Sequence, residues 1–288
     1  MKVIRTVADL RELLGAENGH RPASAGRSRV GLVPTMGFLH EGHLSLIRRA
    51  HEDCETVVVS LFVNPKQFGE SEDLDAYPRD EERDARLAEE CGADILFAPG
   101  LDEVYPDGFS TSVDVGGLTD VLCGSARPGH FAGVTTVVTK LFNMVRPDVA
   151  YFGQKDAQQA LVIRKLVRDL DMPVRIEVCP TVREPDGLAL SSRNAYLSAE
   201  ERERALSLNR ALRAAETAVA EGRTDADDVL AAAREQLQQA GIEPEYLELR
   251  SAQDLAPVER VNGSTLLAVA AQVGRARLID NTILTGDQ

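Results

Sequence analysis

Two histidines lie three positions apart where an apolar run of the chain gives way to a helical pattern. The apolar run covers residues 30–33, and the segment after it, residues 34–43, reads PTMGFLHEGH and contains His40 and His43. The N-terminus of a helix presents unpaired N–H groups and a partial positive charge, which favour an anion. Because two imidazoles at such an end can donate to the same anion, this segment predicts phosphate binding.

The two histidines also have two other interpretations. They can be polar residues that only stabilise a helix end, or they can be metal ligands. A zinc site needs about four ligands, and no cluster of cysteine and histidine lies near His40 and His43 in the sequence. The spacing His-x-Gly-His also resembles the signature of the nucleotidyltransferase superfamily, whose members attack the α-phosphate of a nucleotide.

Two later segments place polar side chains next to predicted strands or helices. The segment NPKQF, with Asn64 and Gln67, follows a β-branched run. Its amides can orient a carboxylate or a hydroxyl without changing the charge, although Asn-Pro is also common in ordinary turns. The segment RPGHF puts Arg127 and His130 directly before a helical pattern, and a plain loop-to-helix junction is the alternative there.

The segment FGQKDAQQ, residues 152–159, places a lysine where a strand meets a helix. Lys155 is a point charge at a usual position for a phosphate ligand. Asp156 can hold a ribose hydroxyl or Mg²⁺, or it can cap the helix with Gln159 as its partner three residues on. The segment is therefore a candidate phosphate site with one competing structural interpretation.

A second phosphate clamp is indicated by the segment LSSRN. Its two hydroxyls, Ser191 and Ser192, stand beside Arg193. Arginine binds phosphate through a planar fork of donors, and a loop between domains can close on a nucleotide. A surface linker with an isolated arginine is the alternative.

The elements that position these residues alternate between strands and helices over about the first 180 residues. Predicted strands cover residues 30–33, 56–63, 94–98, 149–152 and 174–178. Helical patterns separate them, including residues 80–91 and 131–145. This order predicts an α/β fold with a Rossmann-like, doubly wound parallel sheet. Ligands of such sheets bind beyond the carboxyl ends of the strands, where most of these segments fall.

The pattern changes near residues 181–187. Ser198 and Glu201 form a capping box that opens a helix ending at Gly222. A second helix at residues 225–240 and strands at 246–250, 264–273 and 275–284 follow. Helices followed by strands indicate a smaller C-terminal α+β domain, so we expect domains at residues 1–182 and 183–288.

Composition restricts the classes of function. The 288 residues carry a net charge of −14, which argues against a nucleic-acid partner because such proteins need a basic surface. No apolar stretch approaches the ~20 residues that span a bilayer, and the N-terminus lacks a secretory apolar region. The four cysteines are scattered without a C-x-x-C pair. We expect a cytoplasmic protein with free thiols and no membrane partner.

The segments together resemble the pantoate–β-alanine ligase (pantothenate synthetase) family. The matching blocks, in the order of the family, are PTMGFLHEGH at 34–43, FVNPKQF at 62–68, DAYPRD at 75–80, VYPDGF at 104–109, RPGHFAGVTTVV at 127–138, FGQKDAQQ at 152–159 and TVREPDGLALSSRNAYLS at 181–198. The resemblance implies a Rossmann-like nucleotide- and pantoate-binding domain, a C-terminal lid domain and a homodimer. It implies ATP as substrate, Mg²⁺, and ligation of pantoate to β-alanine through a pantoyl adenylate, with release of pyrophosphate and AMP.

The resemblance also implies roles for individual residues. Those of the ATP site would be Met36, Gly37, Phe38, Leu39, His40, Glu41, Gly42, His43, Gly153, Gln154, Lys155, Asp156, Val182, Leu190, Ser191, Ser192 and Arg193. Within that set the catalytic residues would be His43, His40, Lys155 and Arg193. Gln67, Gln159 and Asn64 would bind pantoate, and Gln67 would also bind β-alanine. Arg127 and His130 lie in a family block without an assigned role.

The sequence departs from the family at two positions, and several alternatives stay open. Many relatives have a methionine in place of Leu190 and a glutamate in place of Gln154; neither change removes a required group. The ligands of Mg²⁺ stay open, with Asp75, Asp84 and Asp156 near the motifs. A nucleotidyltransferase that stops at an adenylylated product and a non-enzymatic nucleotide-binding module are the competing functions. The paired glutamines favour a non-phosphorylated acid as acceptor.

Overall fold

A computed structural model describes residues 1–17, 28–69, 74–75 and 77–286. Ala76, in the family block at residues 75–80, lies outside this range. The chain divides into two compact units. Unit 1 comprises Met1–Gly153 with Val162–Cys179, and unit 2 comprises Gln154–Leu161 with Pro180–Gln288. The expected domain boundary between residues 182 and 183 stays a prediction.

The secondary structure follows the predicted order. The strands of the described residues are β1 (Lys2–Ile4), β2 (Ser28–Thr35), β3 (Cys54–Leu61), β4 (Ile95–Phe97), β5 (Val149–Gly153), β6 (Arg175–Cys179), β7 (Pro244–Ser251), β8 (Gly263–Val273) and β9 (Ala276–Gly286). The α-helices of the same residues are α1 (Val7–Glu17), α2 (Glu41–Asp53), α3 (Glu81–Glu90), α4 (Leu101–Val104), α5 (Cys123–Ala126), α6 (His130–Val145), α7 (Ala157–Asp169), α8 (Ala199–Ala220) and α9 (Ala226–Gln239). Short 3₁₀ helices cover Pro65–Gln67, Gln154–Asp156 and Ser192–Tyr196.

Unit 1 is built on a parallel sheet of six strands among its described residues. The strand order is β1-β4-β3-β2-β5-β6, and every pairing is parallel. The chain runs outward from β2 through β3 to β4, then returns to β5 on the other side of β2. This reversal between β2 and β5 is the topological switch point, where doubly wound sheets bind ligands. The predicted fold class is confirmed.

The core of unit 1 explains why these segments are strands. Val57, Val58 and Val59 of β3 are fully buried on both faces of the sheet, as continuous β-branched runs in parallel sheets are. Tyr151 of β5 is fully buried too, and its hydroxyl lies 3.3 Å from the Cys54 thiol. Burial raises the pKa of that thiol. None of the four cysteines is in a disulfide bond.

Unit 2 packs two helices on an antiparallel sheet of order β7-β8-β9. The predicted capping box is present: Ser198 Oγ accepts from the Glu201 N–H, and the Glu201 carboxylate accepts from the Ser198 N–H. Leu208 and Leu212 of α8 and Leu237 of α9 are buried against the sheet. The helix-then-strand pattern therefore forms a compact α+β unit.

Each strand predicted from the sequence is present, with its ends within two residues of those predicted. The sequence patterns left β1 and the helices α1, α4 and α5 unpredicted. β1, with the sequence Lys-Val-Ile, lacks the continuous apolar run that marks the equally short β4, Ile-Leu-Phe. Among the described residues, no helix has both the length and the apolar composition needed to cross a bilayer.

Candidate active site

The turn between β2 and α2 has two residues in the left-handed backbone region. Gly37 has a φ of 90° and Phe38 a φ of 50°. Glycine adopts such angles freely, whereas a bulky residue keeps them only when its surroundings enforce them. The enforcing contacts come from Asp84, whose Oδ2 accepts from the Phe38 N–H at 2.6 Å and whose Oδ1 accepts from the Leu39 N–H at 2.7 Å. One carboxylate of α3 thus holds the turn.

Asp84 is a charged group in a buried place, with 1% of its surface exposed. Burial raises its pKa, although the hydrogen bonds from Leu39 and Phe38 and the nearby Arg83 act in the opposite direction. The Arg83 guanidinium lies 3.4 Å from the carboxylate and 5.2 Å from the centre of the Phe38 ring. The sequence suggested Asp84 as a Mg²⁺ ligand, but its oxygens are engaged by backbone N–H groups.

His40 and His43 form the N-terminal cap of α2. His40 Nδ1 accepts from the Gly42 N–H at 3.1 Å, and His43 Nδ1 accepts from the His40 N–H at 3.4 Å. The ring centroids are 4.1 Å apart. In a neutral imidazole whose Nδ1 accepts, the proton is on Nε2, which can donate to an anion. The Nδ1 atoms of both rings therefore stabilise the end of the helix, as the structural interpretation expects. Binding of a phosphate by the Nε2 atoms is compatible with that role.

Asn64 is buried, and it organises the 3₁₀ turn that carries Gln67. Its Nδ2 donates to Gln67 Oε1 and to the Gly133 carbonyl, both at 3.1 Å, and its Oδ1 accepts from the Tyr105 hydroxyl at 2.9 Å. The Oδ1 also lies 3.3 Å from the Lys66 N–H, which it caps. The turn interpretation of Asn-Pro is correct, and the same turn presents the Gln67 amide.

Gln67 is held from both ends. Its side-chain Nε2 lies 3.0 Å from Met36 Sδ, so two predicted site residues are in contact. Its backbone carbonyl accepts from His130 Nδ1 at 2.8 Å and from Arg127 at 3.3 Å, and Arg127 lies 3.0 Å from His130 Nε2. Because the carbonyl can only accept, His130 Nδ1 carries a proton. The RPGHF segment therefore supports the Gln67 turn.

Gly133 is a residue of this site that the sequence did not single out. A Cβ at position 133 would stand 2.2 Å from the Lys66 carbonyl oxygen and 2.6 Å from the Gln67 nitrogen. Real Cβ atoms do not approach backbone so closely, so glycine is what lets α6 reach the Gln67 turn. The available signal was a glycine inside a helix rich in valine and threonine, where it costs about 1 kcal/mol relative to alanine.

In unit 2, Lys155 lies in the 3₁₀ turn Gln154–Asp156, which precedes α7. Asn281 of β9 donates to the carbonyl oxygens of Gln154 and Lys155 at 3.0 and 2.9 Å, and it accepts from Gln154 Nε2 at 3.0 Å. Asp156 is exposed, and Gln159 on α7 is half-buried. No sequence signal pointed to Asn281, which is far from every motif.

The segment from Val182 to Leu190 is a small hairpin. The Leu190 N–H donates to the Val182 carbonyl at 3.0 Å, and Gly187 turns the chain with a φ of 98°. Arg183 donates through both Nη atoms to Asp280 of β9, at 2.6 and 2.9 Å. This bidentate pair fixes the hairpin to the sheet of unit 2, and Asp280 is only 3% exposed.

The predicted phosphate clamp follows the hairpin. Ser191 Oγ accepts from the Arg193 N–H at 3.2 Å and caps the 3₁₀ helix Ser192–Tyr196. Asn194 donates to Glu184 and to the Ala189 carbonyl. The structure thus brings Val182 to Arg193 together in one folded segment, while the Ser191 hydroxyl has a structural role as well.

These residues do not form a binding site for a resident metal ion. In the described part of the chain, no group of three or more histidine, cysteine, aspartate or glutamate side chains could hold an ion. Of the three suspected carboxylates, Asp84 is engaged with backbone N–H groups, while Asp75 and Asp156 are exposed.

Comparison with known proteins decides between the competing functions. The model of the family described as pantoate–β-alanine ligase matches residues 2–283. The chain belongs to the pantoate–β-alanine ligase family. This membership confirms the predicted family and the predicted enzyme class, a ligase that joins pantoate to β-alanine. The roles assigned to single residues stay predictions.

Relatives of the ligase family cover the chain almost completely. The pantothenate synthetases of Acetivibrio thermocellus and Pelotomaculum thermopropionicum are 51% and 52% identical over 285 residues, which is 99% of this chain and of each relative. The pantothenate synthetase in a crystal structure from Thermus thermophilus is 47% identical to this chain, with a TM-score of 0.91. The match covers 99% of this chain and 100% of that chain. A Francisella tularensis ligase, complexed with βγ-ATP and β-alanine, is 32% identical with a TM-score of 0.78, and 98% and 97% of the chains are covered.

Proposed function

We propose that this ligase works in two steps, and that the same side chains serve both of them. The pantoate carboxylate attacks the α-phosphate of ATP, the bond to the β-phosphate oxygen breaks, and pyrophosphate leaves. The amine of β-alanine then attacks the carbonyl carbon of the pantoyl adenylate, the bond to AMP breaks, and the amine loses a proton. Family membership and the complex of the Francisella relative support this scheme.

The observation that carries the proposal is the capping arrangement of His40 and His43. Both rings use Nδ1 within the cap, so Nε2 of each neutral ring is a donor at the N-terminus of α2. Adenylation develops negative charge on the α-phosphate and on the leaving pyrophosphate. Donors fixed before the reaction stabilise that charge without reorganising. We assign His43 as the principal donor and His40 as the second.

The Gln67 turn is assigned to the two acids. Gln67 is neutral, and Asn64 and Met36 hold its side chain while His130 and Arg127 hold its backbone. A preorganised amide can donate to a carboxylate and accept from a hydroxyl, both of which pantoate offers. We assign pantoate to Gln67, Asn64 and Gln159, and β-alanine to Gln67.

The two segments of unit 2 are assigned to the nucleotide. Lys155 supplies a positive charge to the phosphates, and Arg193 supplies a planar fork of donors. The backbone of residues 154–156 with the preceding Gly153 of unit 1, that of Val182 and the segment 190–193 would contact ATP. The hydrogen bonds that fix the two segments support this assignment.

Mg²⁺ is assigned to the substrate. The described residues provide no cluster of ligands for a resident ion, and Mg²⁺ is commonly held by substrate phosphates and water with one or two carboxylates. We therefore treat MgATP as the form that binds and assign no step of the protein to the ion. On family resemblance alone, we also propose a cytoplasmic homodimer.

The reaction is tested by measuring pyrophosphate and product together. With MgATP and pantoate, one equivalent of pyrophosphate per enzyme is expected, and addition of β-alanine should make its release catalytic, with AMP and pantothenate as products. A stable adenylylated product that β-alanine does not consume would favour the simple nucleotidyltransferase instead.

The role of His43 is tested by His43→Ala with His51→Ala as the control. His51 lies in the last turn of the same helix, outside the assigned site. Loss of one preorganised donor typically costs about 10²-fold or more in rate, so pyrophosphate release should fall by that factor in His43→Ala only. Equal rates for the two variants would refute the assignment.

A further inference from the structure

The turn that carries Lys155 is fixed by a residue 126 positions later in the chain. Asn281 lies on β9 and is 5% exposed. Its amide donates to the carbonyl oxygens of Gln154 and Lys155, and its oxygen accepts from the Gln154 side chain. Both sides of the Asn281 amide are therefore used on one turn of the backbone.

This turn needs such a partner because of its geometry. The 3₁₀ helix Gln154–Asp156 has three residues, too few to satisfy its own carbonyl groups. Buried carbonyl oxygens without partners are costly. Two donors on the carbonyls of consecutive residues fix the peptide plane between them, and this restricts the backbone from which the Lys155 side chain extends.

The neighbouring residue of β9 holds the second nucleotide segment. Asp280 accepts both hydrogen bonds from Arg183, at the base of the hairpin that leads to residues 190–193. Consecutive side chains of a strand point to opposite sides, so one strand can hold two segments. The pairing of β9 with β8, Val269 with Asp280 and Ala268 with Asn281, keeps both side chains in register.

We infer that Asn281 is a positioning residue for the adenylation step, acting through the backbone of Gln154 and Lys155. This inference rests on the proposed function, in which Lys155 binds the phosphates of ATP. Asn281 itself touches neither ATP nor pantoate in this scheme. It keeps the Lys155 ammonium where the phosphates need it.

The test compares Asn281→Ala with Thr282→Ala. Thr282 is the next residue of the same strand, and its hydroxyl donates to Glu216 on α8 rather than to a nucleotide segment. Both variants lose one hydrogen-bonding side chain. Because a displacement of about 1 Å can cost 10²-fold in rate, kcat for pantoate-dependent pyrophosphate release should fall by about that factor in Asn281→Ala. KM for pantoate should change little, and Thr282→Ala should keep the wild-type kcat.

Hydrogen exchange gives a readout independent of activity. Backbone amides of residues 153–157 should exchange faster in Asn281→Ala than in the wild type, and not in Thr282→Ala. Unchanged exchange, or the same kcat in both variants, would overturn the inference. Absence of pantoate-dependent pyrophosphate release in the wild type would instead overturn the proposed function, and with it the positioning role of Asn281 in adenylation.

A second variant covers the case in which Asn281→Ala does not fold. Asn281→Asp keeps the shape of the side chain but points a carboxylate at two carbonyl oxygens. Only its protonated form can donate to one of them. The ratio of its kcat to that of the wild type should therefore rise as the pH falls, and a ratio that is flat with pH would count against the positioning role.

Discussion

Two turns of this ligase follow neighbouring parallel strands, and they are held by opposite kinds of side chain. The turn after β2 is held by the Asp84 carboxylate, which accepts from two backbone N–H groups. The turn after β5 is held by the Asn281 amide, which donates to two backbone carbonyls. In each case the side chain provides what the unpaired backbone groups of the turn need, which is an acceptor for N–H groups after β2 and a donor for carbonyl groups after β5. Both turns are assigned to the phosphates of ATP. The type of side chain that holds a turn therefore does not depend on the ligand that the turn binds.

The difference has an energetic consequence. A buried carboxylate loses its hydration and must recover that free energy from its hydrogen bonds, whereas a neutral amide has a much smaller desolvation cost. Asp84 shows this conflict, because burial raises its pKa in spite of the two N–H donors. Asn281 does not ionise. The first turn should therefore respond to pH and to loss of charge, and the second only to loss of donors.

The largest expected effect comes from Asp84→Asn. An asparagine offers one oxygen, and its NH₂ group faces a backbone N–H that formerly donated. Leaving one buried donor unsatisfied costs about 1–3 kcal/mol, and release of the strained turn should displace His40 and His43. We expect a lower melting temperature and a loss of about 10²-fold in the rate of pyrophosphate release.

The control for this variant is Glu82→Gln, which removes an exposed carboxylate from the same helix, where it pairs with Arg86. It should leave rate and melting temperature near those of the wild type. If Asp84→Asn were as active as Glu82→Gln, the carboxylate would not be what holds the turn.

A smaller effect is expected from Arg183→Lys, which tests the charged anchor on β9. Lysine keeps the charge but loses the planar fork that meets both oxygens of Asp280. Loss of one charge-assisted hydrogen bond, about 1.5–3 kcal/mol, should lower the melting temperature and reduce kcat by roughly tenfold.

Arg277→Lys is its matched control, because Arg277 on β9 makes a bidentate pair with Glu245, whose carboxylate is 35% exposed against 3% for Asp280. Exposed pairs contribute about 0–1 kcal/mol, so both stability and kcat should change little. Similar kcat losses in the two variants would show that the hairpin does not depend on Asp280.

A still smaller effect is expected from Gln154→Glu, which keeps the length of the side chain and replaces its amide with a carboxylate. The Asn281 amide keeps its two bonds to the backbone, but the carboxylate can no longer donate to Asn281 Oδ1. The loss of one neutral hydrogen bond corresponds to about 1 kcal/mol of unfolding free energy, measurable by urea denaturation. A loss of activity as large as that of Asn281→Ala would show that the side chain of Gln154, rather than its backbone, acts on ATP.

The smallest effect is a pH dependence that only one turn should show. Because the folded pKa of Asp84 is raised, the folded protein binds more protons than the unfolded chain between the unfolded and folded pKa values. The free energy of unfolding of the wild type, relative to Asp84→Asn, should therefore increase as the pH falls through the folded pKa. The difference in the free energy of unfolding between the wild type and Asn281→Ala should not change with pH. A difference that changed with pH would contradict the contrast between the two turns.

Much of this could be predicted from the sequence. Hydrophobic patterns indicated the strands of both sheets except β1, and blocks such as residues 34–43 and 152–159 indicated the family. The roles of Asp84, Gly133 and Asn281 as supports could not be read from spacing. Each supports a segment distant in sequence, and Asn281 stands in an ordinary strand pattern. His40 and His43 were predicted as a pair, but the use of both Nδ1 atoms in the helix cap was not.

By itself, the sequence determined the family, the order of the elements and the polar segments at the ends of the strands. These are local properties, because hydrophobic period and turn chemistry depend on near neighbours. Only the tertiary structure decided which side chains hold those segments in place. A buried hydrogen bond depends on which atoms lie within about 3 Å of each other in the folded chain, and residues 46 or 126 positions apart meet there only because the sheets bring them together.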